Sequence, residues 1–153
     1  MALGLLERYQ EEVKDYAKAL VLNPTDPATY YNLGVAYSNL GNFTVAIEEF
    51  DNALELTPDD PRAHYQRGLA YANLNLYEKA LQEYQRAADL APEDAKARYG
   101  LATTYSHLGD TSAAIDALAQ AIQLAPDYRY TALTDKAFDN IRDNPAFIAL
   151  VGG

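Results

Sequence analysis

Tyr37, Tyr71 and Tyr105 stand 34 residues apart, as do Pro24, Pro58, Pro92 and Pro126 and the alanines Ala46, Ala80 and Ala114. A fixed period of roughly 20–50 residues marks a solenoid, in which one supersecondary unit stacks on copies of itself. Such a chain builds a curved surface rather than a deep pocket. Its expected business is holding another molecule.

Within the period each unit reads as two helices. In the first, 28–40 is helix A and 44–57 is helix B, with Gly41-Asn42 between them. Glycine supplies the left-handed residue that ends helix A. Gly109 repeats this in the third unit, and Asn75, the next most tolerant type, in the second. Asp26-Pro27 and Asp60-Pro61 each place a capping acceptor before a proline at the first helical position, and Asp94 caps the third unit. Pro58, Pro92 and Pro126 stop the B helices. Gly34, Gly68 and Ala102 in mid-helix A face Ala46, Ala80 and Ala114 on helix B. A mid-helix glycine costs about 1 kcal/mol against alanine, so its recurrence predicts a close helix–helix approach, with Phe50, Tyr84 and Leu118 filling the space beyond.

These residues carry a resemblance. Tyr30, Leu33-Gly34, Tyr37, Ala46, Phe50 and Pro58, repeated as His64, Arg67-Gly68, Tyr71, Ala80, Tyr84 and Pro92 and as Arg98, Leu101-Ala102, Tyr105, Ala114, Leu118 and Pro126, resemble the tetratricopeptide repeat (TPR) of bacterial type. The resemblance implies an all-α fold: a right-handed α-solenoid of helix-turn-helix repeats with C-terminal capping helices. The expected organisation is an N-terminal half repeat (1–26, helix B only), repeats at 27–60, 61–94 and 95–128, and capping helices at 129–153. Leu6, Tyr9, Val13, Tyr16 and Leu20 form a helical stripe over 3–22. That helix reads as a cap, a truncated unit, or a face for a second copy. Ala132 to Ala137 read as a fourth helix A, and Asp143-Asn144-Pro145 starts a last short helix. The run from Phe138 to Phe147 resembles a tail that closes bacterial arrays of this family, covering the apolar edge of the last repeat.

Composition narrows the chemistry. The formal net charge of −10 opposes nucleic acid, which requires clustered Lys and Arg, and anionic membrane surfaces. The absence of cysteine removes disulfides, thiolate catalysis and Cys-based zinc sites, and fits a reducing, cytoplasmic compartment. No stretch reaches the ~18 apolar residues of a membrane span. Met1 to Leu6 lacks a basic n-region and does not read as a signal peptide. Asn42-Phe43-Thr44 therefore reads as a chance glycosylation match. His64 and His107 lie 43 residues apart without nucleophile or carboxylate in motif spacing. Asp59-Asp60 and Glu93-Asp94 read as caps and Glu48-Glu49 as a solvated face. No catalytic residue, metal site or cofactor is expected, and the chain is not read as an enzyme.

Charge is segregated. The A segments 28–40, 62–74 and 96–108 carry Arg62, Arg67, Lys96 and Arg98 and no acid. The B helices carry Glu48, Glu49, Asp51, Glu55, Glu78, Glu83, Asp89 and Asp116. In TPR arrays the A helices line the concave face, which implies an acidic outside and a neutral-to-basic groove favouring an acidic peptide or a free C-terminal carboxylate. The family register points Tyr31, Val35, Ser38 and Asn39, then Arg62, Tyr65, Leu69, Ala72 and Asn73, then Lys96, Tyr99, Thr103, Ser106 and His107 into the groove. Tyr31, Tyr65 and Tyr99 form a ladder suited to peptide contact or to packing between A helices.

The carboxylate clamp by which some TPR co-chaperones hold heat-shock chaperone C-termini falls here on Tyr31, Val35, Gln66, Lys96 and Gly100. Only Lys96 agrees. A one-unit shift recovers Asn32 and Arg62 but leaves no first A helix. Weak carboxylate capture by Arg62 and Lys96 stays open. Arg67 stands where the family has leucine. It either pairs with Glu48, Glu49 or Asp51, its stem lying on apolar surface, or reaches into the groove. The expected partner is another protein, through a peptide segment or helix in the groove. The alternatives are a self-assembling scaffold, as a homodimer through the N-terminal helix, and a regulatory segment of a larger protein.

Overall fold

The computed structural model describes residues 2–152. The chain forms α1 (Ala2–Leu22), α2 (Pro27–Asn39), α3 (Phe43–Leu56), α4 (Pro61–Asn73), α5 (Tyr77–Leu90), α6 (Ala95–His107), α7 (Thr111–Leu124), α8 (Tyr128–Thr134), a 3-10 turn (Lys136–Phe138) and α9 (Pro145–Gly152). Each helix packs on its successor, most closely within the pairs α2–α3, α4–α5 and α6–α7. The result is a right-handed α-solenoid. The A helices α2, α4 and α6 also touch one another in succession, whereas the B helices stand further apart. That asymmetry curves the stack and puts the A helices on its inner face.

Local chemistry explains the boundaries. Asp26, Asp60 and Asp94 accept from the backbone N–H of Thr29, Arg62 and Lys96, satisfying donors that a helix start leaves open. Each A helix begins and ends one residue earlier than its segment predicts, because the residue after the capping aspartate already takes helical geometry. Gly41, Asn75 and Gly109 have φ of 77°, 59° and 80°, the left-handed turn between A and B.

A second periodic device joins the units. Tyr30, His64 and Arg98 occupy one column, and each donates to the carbonyl of the proline six residues before it. Tyr30 Oη reaches Pro24 O at 3.2 Å, His64 Nε2 reaches Pro58 O at 2.9 Å, and Arg98 Nη2 reaches Pro92 O at 3.2 Å. Three different side chains are interchangeable here because each carries a donor at the end of a long reach.

Small residues set the A–B spacing. A Cβ added at Gly34 would stand 2.6 Å from Phe50, and one at Gly68 2.9 Å from Tyr84. Gly100 belongs to the same set, since its Cβ would lie 2.8 Å from Tyr84. The large Tyr84 ring, 2% exposed, thus sits between a glycine of its own unit and one of the next.

The core continues past the repeats. Tyr84, Leu118, Phe138, Phe147 and Val151 belong to one buried cluster. The expected helix over Ala132 to Ala137 is not formed as such. Helix α8 starts earlier and stops at Thr134, Asp135 is extended, and a 3-10 turn follows. Burial of Phe138 against Phe147, with ring centroids 5.5 Å apart, drives the break. The Arg142 guanidinium stabilises it by donating to the carbonyls of Leu133 and Asp135. Asn140 exchanges two 2.7 Å hydrogen bonds with Ser106. Asn144 caps α9 through Ala146 N and Phe147 N.

Candidate groove between the inner helices

Two clefts lie along the seam between α4 and α6, the inner helices of adjacent units. The upper one encloses about 180 Å³ and is lined by Tyr31, Pro61, Arg62, Tyr65, Gln66, Ala87, Ala91, Asp94, Lys96 and Ala97. The lower one encloses about 240 Å³ and is lined by Leu69, Ala72, Asn73, Tyr77, Tyr84, Thr103, Thr104, His107, Asp135 and Ala137.

In the upper cleft Tyr31 and Tyr65 present half-buried rings. Each rests on an aromatic of its own unit, Tyr31 on Phe50 (6.1 Å) and Tyr65 on Tyr84 (5.7 Å). Burial pushes the Tyr65 hydroxyl up to about 12. Arg62 lies over the Tyr31 ring, 5.2 Å from its centroid, a cation–π contact. Its guanidinium is also held by Asp60, with Nε at 3.1 Å from Oδ1 and Nη2 at 2.8 Å from Oδ2. Burial opposes the charge on Asp60, but Arg62 and the backbone donors outweigh it and hold the carboxyl below its ordinary value. Lys96 is exposed and makes no ion pair among the described residues. With Asp60 on Arg62 and Asp94 in the same wall, the cleft is less basic than the acid-free A helices imply.

Tyr99 is placed differently from the other two ladder residues. It stacks on Tyr128 of α8 (4.4 Å, 20°), meets Phe138 edge-on, and donates its hydroxyl to Asp135 Oδ2 at 2.7 Å. Burial and then Asp135 push its hydroxyl pKa well up. The C-terminal cap therefore covers this rung. Ser106, expected to face the groove, is fully buried against Asn140. Asn32 and Asn39 are exposed and Val35 is half-buried, and none of the three lines either cleft.

The lower cleft gathers Leu69, Asn73, Thr103 and His107 from the predicted set. It adds five residues that the repeat register does not point to: Tyr77, Tyr84, Thr104, Asp135 and Ala137. The His107 ring stacks on Tyr77 (4.7 Å, 10°). Tyr84 stands where the other units have Phe50 and Leu118, and that extra hydroxyl was the available signal. Asp135 lies beyond the fading of the period, where no register places it.

Arg67 lies outside both clefts. Its Nη1 donates to Asp51 at 2.5 Å and its Nη2 to Glu83 at 2.8 Å. Glu83 also faces His64 Nδ1 at 2.8 Å. The expected pairing with Asp51 is present, and Glu83, on the following helix B, is the partner that sequence reasoning missed. His64 is buried and bonded at both nitrogens. Among the described residues no three His, Cys, Asp or Glu side chains are grouped to hold a metal, and no helix is long and apolar enough to cross a membrane.

Two tetratricopeptide-repeat family models match residues 31–95 and 74–137, and a TPR-repeat model matches 5–41. Comparison with curated proteins finds no match. Among solved structures, MamA (residues 41 to the end) from Desulfovibrio magneticus RS-1 is 24% identical with a TM-score of 0.81, covering 99% of this chain and 88% of that one. YrrB, a TPR protein with an unusual peptide-binding site, is 20% identical with a TM-score of 0.75, covering 97% and 77%. The first TPR of Spaghetti (RPAP3), bound to the HSP90 peptide SRMEEVD, is 28% identical with a TM-score of 0.66, covering 67% and 82%. The repeat columns, the paired-helix packing and these matches agree: the chain belongs to the tetratricopeptide repeat family.

Proposed function

We propose that this chain is a protein-interaction module, not an enzyme, and that it binds an extended peptide segment of a partner along the inner face. The observation that carries the reading is the upper cleft. There two half-buried tyrosines sit on rigid aromatic neighbours, with Lys96 exposed beside them. Tyrosine offers large contact area and a hydroxyl at small entropic cost. Rings already fixed by packing require little ordering on binding. The peptide held by the RPAP3 repeat supports the same use here. In this reading Lys96, aided by Arg62, contacts an acidic group of the peptide.

The test is a peptide selected from a display library, followed by Tyr65→Ala and Lys96→Glu. Each should weaken its binding about tenfold or more, as central interface positions do, while Glu78→Lys on the outer helix α5 leaves it unchanged. Equal binding by all variants removes the inner face as the site.

A second reading, self-assembly through α1, rests on Leu5, Leu6, Val21 and Leu22, all exposed, the last two at 83% and 87%. A sedimentation coefficient that stays monomeric across a wide concentration range removes it.

A further inference from the structure

The lower cleft has a chemistry distinct from the upper one, and nothing in the repeat register explains it. Its polar lining is rich in acceptors. Asp135 is its only acid, and that carboxylate uses one oxygen on Tyr99 and one on Ala137 N (2.9 Å). Each oxygen has a lone pair to spare. The Asn73 amide donates its NH₂ to Leu69 O at 2.8 Å, which leaves its carbonyl oxygen free. Tyr84, 2% exposed, also lines this cleft. The stacked Tyr77–His107 pair forms an aromatic flank. A carboxylate and an amide oxygen lining one cleft beside an aromatic wall suit a cation.

We infer that this cleft is the socket for an arginine or lysine side chain of the bound peptide. The inference rests on the groove reading above and gives the peptide a sequence pattern. Along α4 the linings shift from Arg62 and Gln66 to Leu69 and Asn73, seven residues on from each. At 1.5 Å per residue that is about 10 Å. An extended chain covers this in about three residues. The preferred ligand therefore carries an acidic residue near Lys96 and a basic one about three positions away, and it runs along the α4–α6 seam. Neither cleft alone distinguishes the chain from a general peptide binder. Their opposite charge at a fixed separation does.

The experiment is an NMR titration of the ¹⁵N-labelled chain at about pH 8, where an ordinary imidazole is neutral. Four end-blocked hexapeptides serve as probes: glutamate and arginine three apart, glutamate alone, arginine alone, and neither. The double peptide should bind about tenfold more tightly than the glutamate peptide, the scale of one charge-assisted contact. Its shifts should include Asn73, Thr103 and His107. In Asp135→Asn, which keeps an acceptor for Ala137 N and a polar group for Tyr99, the double peptide should fall to the affinity of the glutamate peptide, whose own affinity is unchanged. If arginine adds nothing in the parent, or if Asp135→Asn weakens both peptides equally, the socket is wrong while the groove stands. Shifts confined to α3, α5 and α7, or no binding by any peptide, overturn both.

Discussion

The first helix and the last elements of this chain pack on the repeats by opposite means. At the front, α1 lies on α2 with no fully buried side chain among those described, and its Glu12 takes the column of Ala46, Ala80 and Ala114. Those alanines are 0% exposed and let two helices close together. Glu12 instead keeps its charge at the surface in a 3.4 Å pair with Arg8. The front end is thus a single helix whose position of closest approach is polar. At the back, α8, the 3-10 turn and α9 fold in on the last pair. They bury Phe138, Phe147 and Val151 in the same core as Leu118, and they send Asp135 and Tyr128 onto the inner face. Helix α1 brings no core of its own; the last elements are core and also line the lower cleft.

Transplanting the front end's charge should show this contrast most strongly. Ala114→Glu puts a carboxylate in a closed helix contact and should cost about 5 kcal/mol, enough to unfold the array, while Glu12→Ala should change stability by less than about 0.5 kcal/mol. Urea denaturation of both variants checks the pair. Phe147→Ala, which empties the back core, should cost about 3–5 kcal/mol in the same assay. Gly100→Ala, which forces Tyr84 to move, should cost about 1–3 kcal/mol by overpacking.

Alkali probes the inner face and its junction with the back end through their tyrosines. The Tyr65 hydroxyl holds its proton to about 12 in the folded chain, and Tyr99 is raised as well. An unfolded tyrosine releases its proton near ~10. Above that pH the unfolded state binds fewer protons, so stability should fall as pH rises from ~10 toward 12. Tyrosinate absorbance should lag behind that of a denatured control. Tyr99→Phe should reduce the alkaline slope. Hydrogen exchange gives the mildest contrast: amides of α1 should exchange before those of α6 and α7, which share the continuous core.

How much of this was legible depended on whether a residue obeyed the period. Caps, left-handed turns and close-packed glycines recur in columns, so Asp60, Asn75 and Gly68 could be read directly. So could the tail, because Asn144-Pro145 starts α9 by its own chemistry. Asp135 could not be placed, because its position follows from Phe138 burying itself and breaking α8. Glu83 was hidden for another reason. Its bond to Arg67 spans 16 residues in one direction while Asp51 lies 16 in the other, and only the three-dimensional stack shows that both reach. Tyr99 shows the limit of a register argument: it shares a column with Tyr31 and Tyr65, yet the cap covers it.

The most direct test is a crystal structure of the chain with a peptide carrying glutamate and arginine three residues apart. The account predicts the peptide extended along the α4–α6 seam, its backbone against Tyr65, its carboxylate at Lys96 and its guanidinium at Asp135. A peptide lying on the outer helices, or one that crosses the inner face without entering the lower cleft, would contradict it.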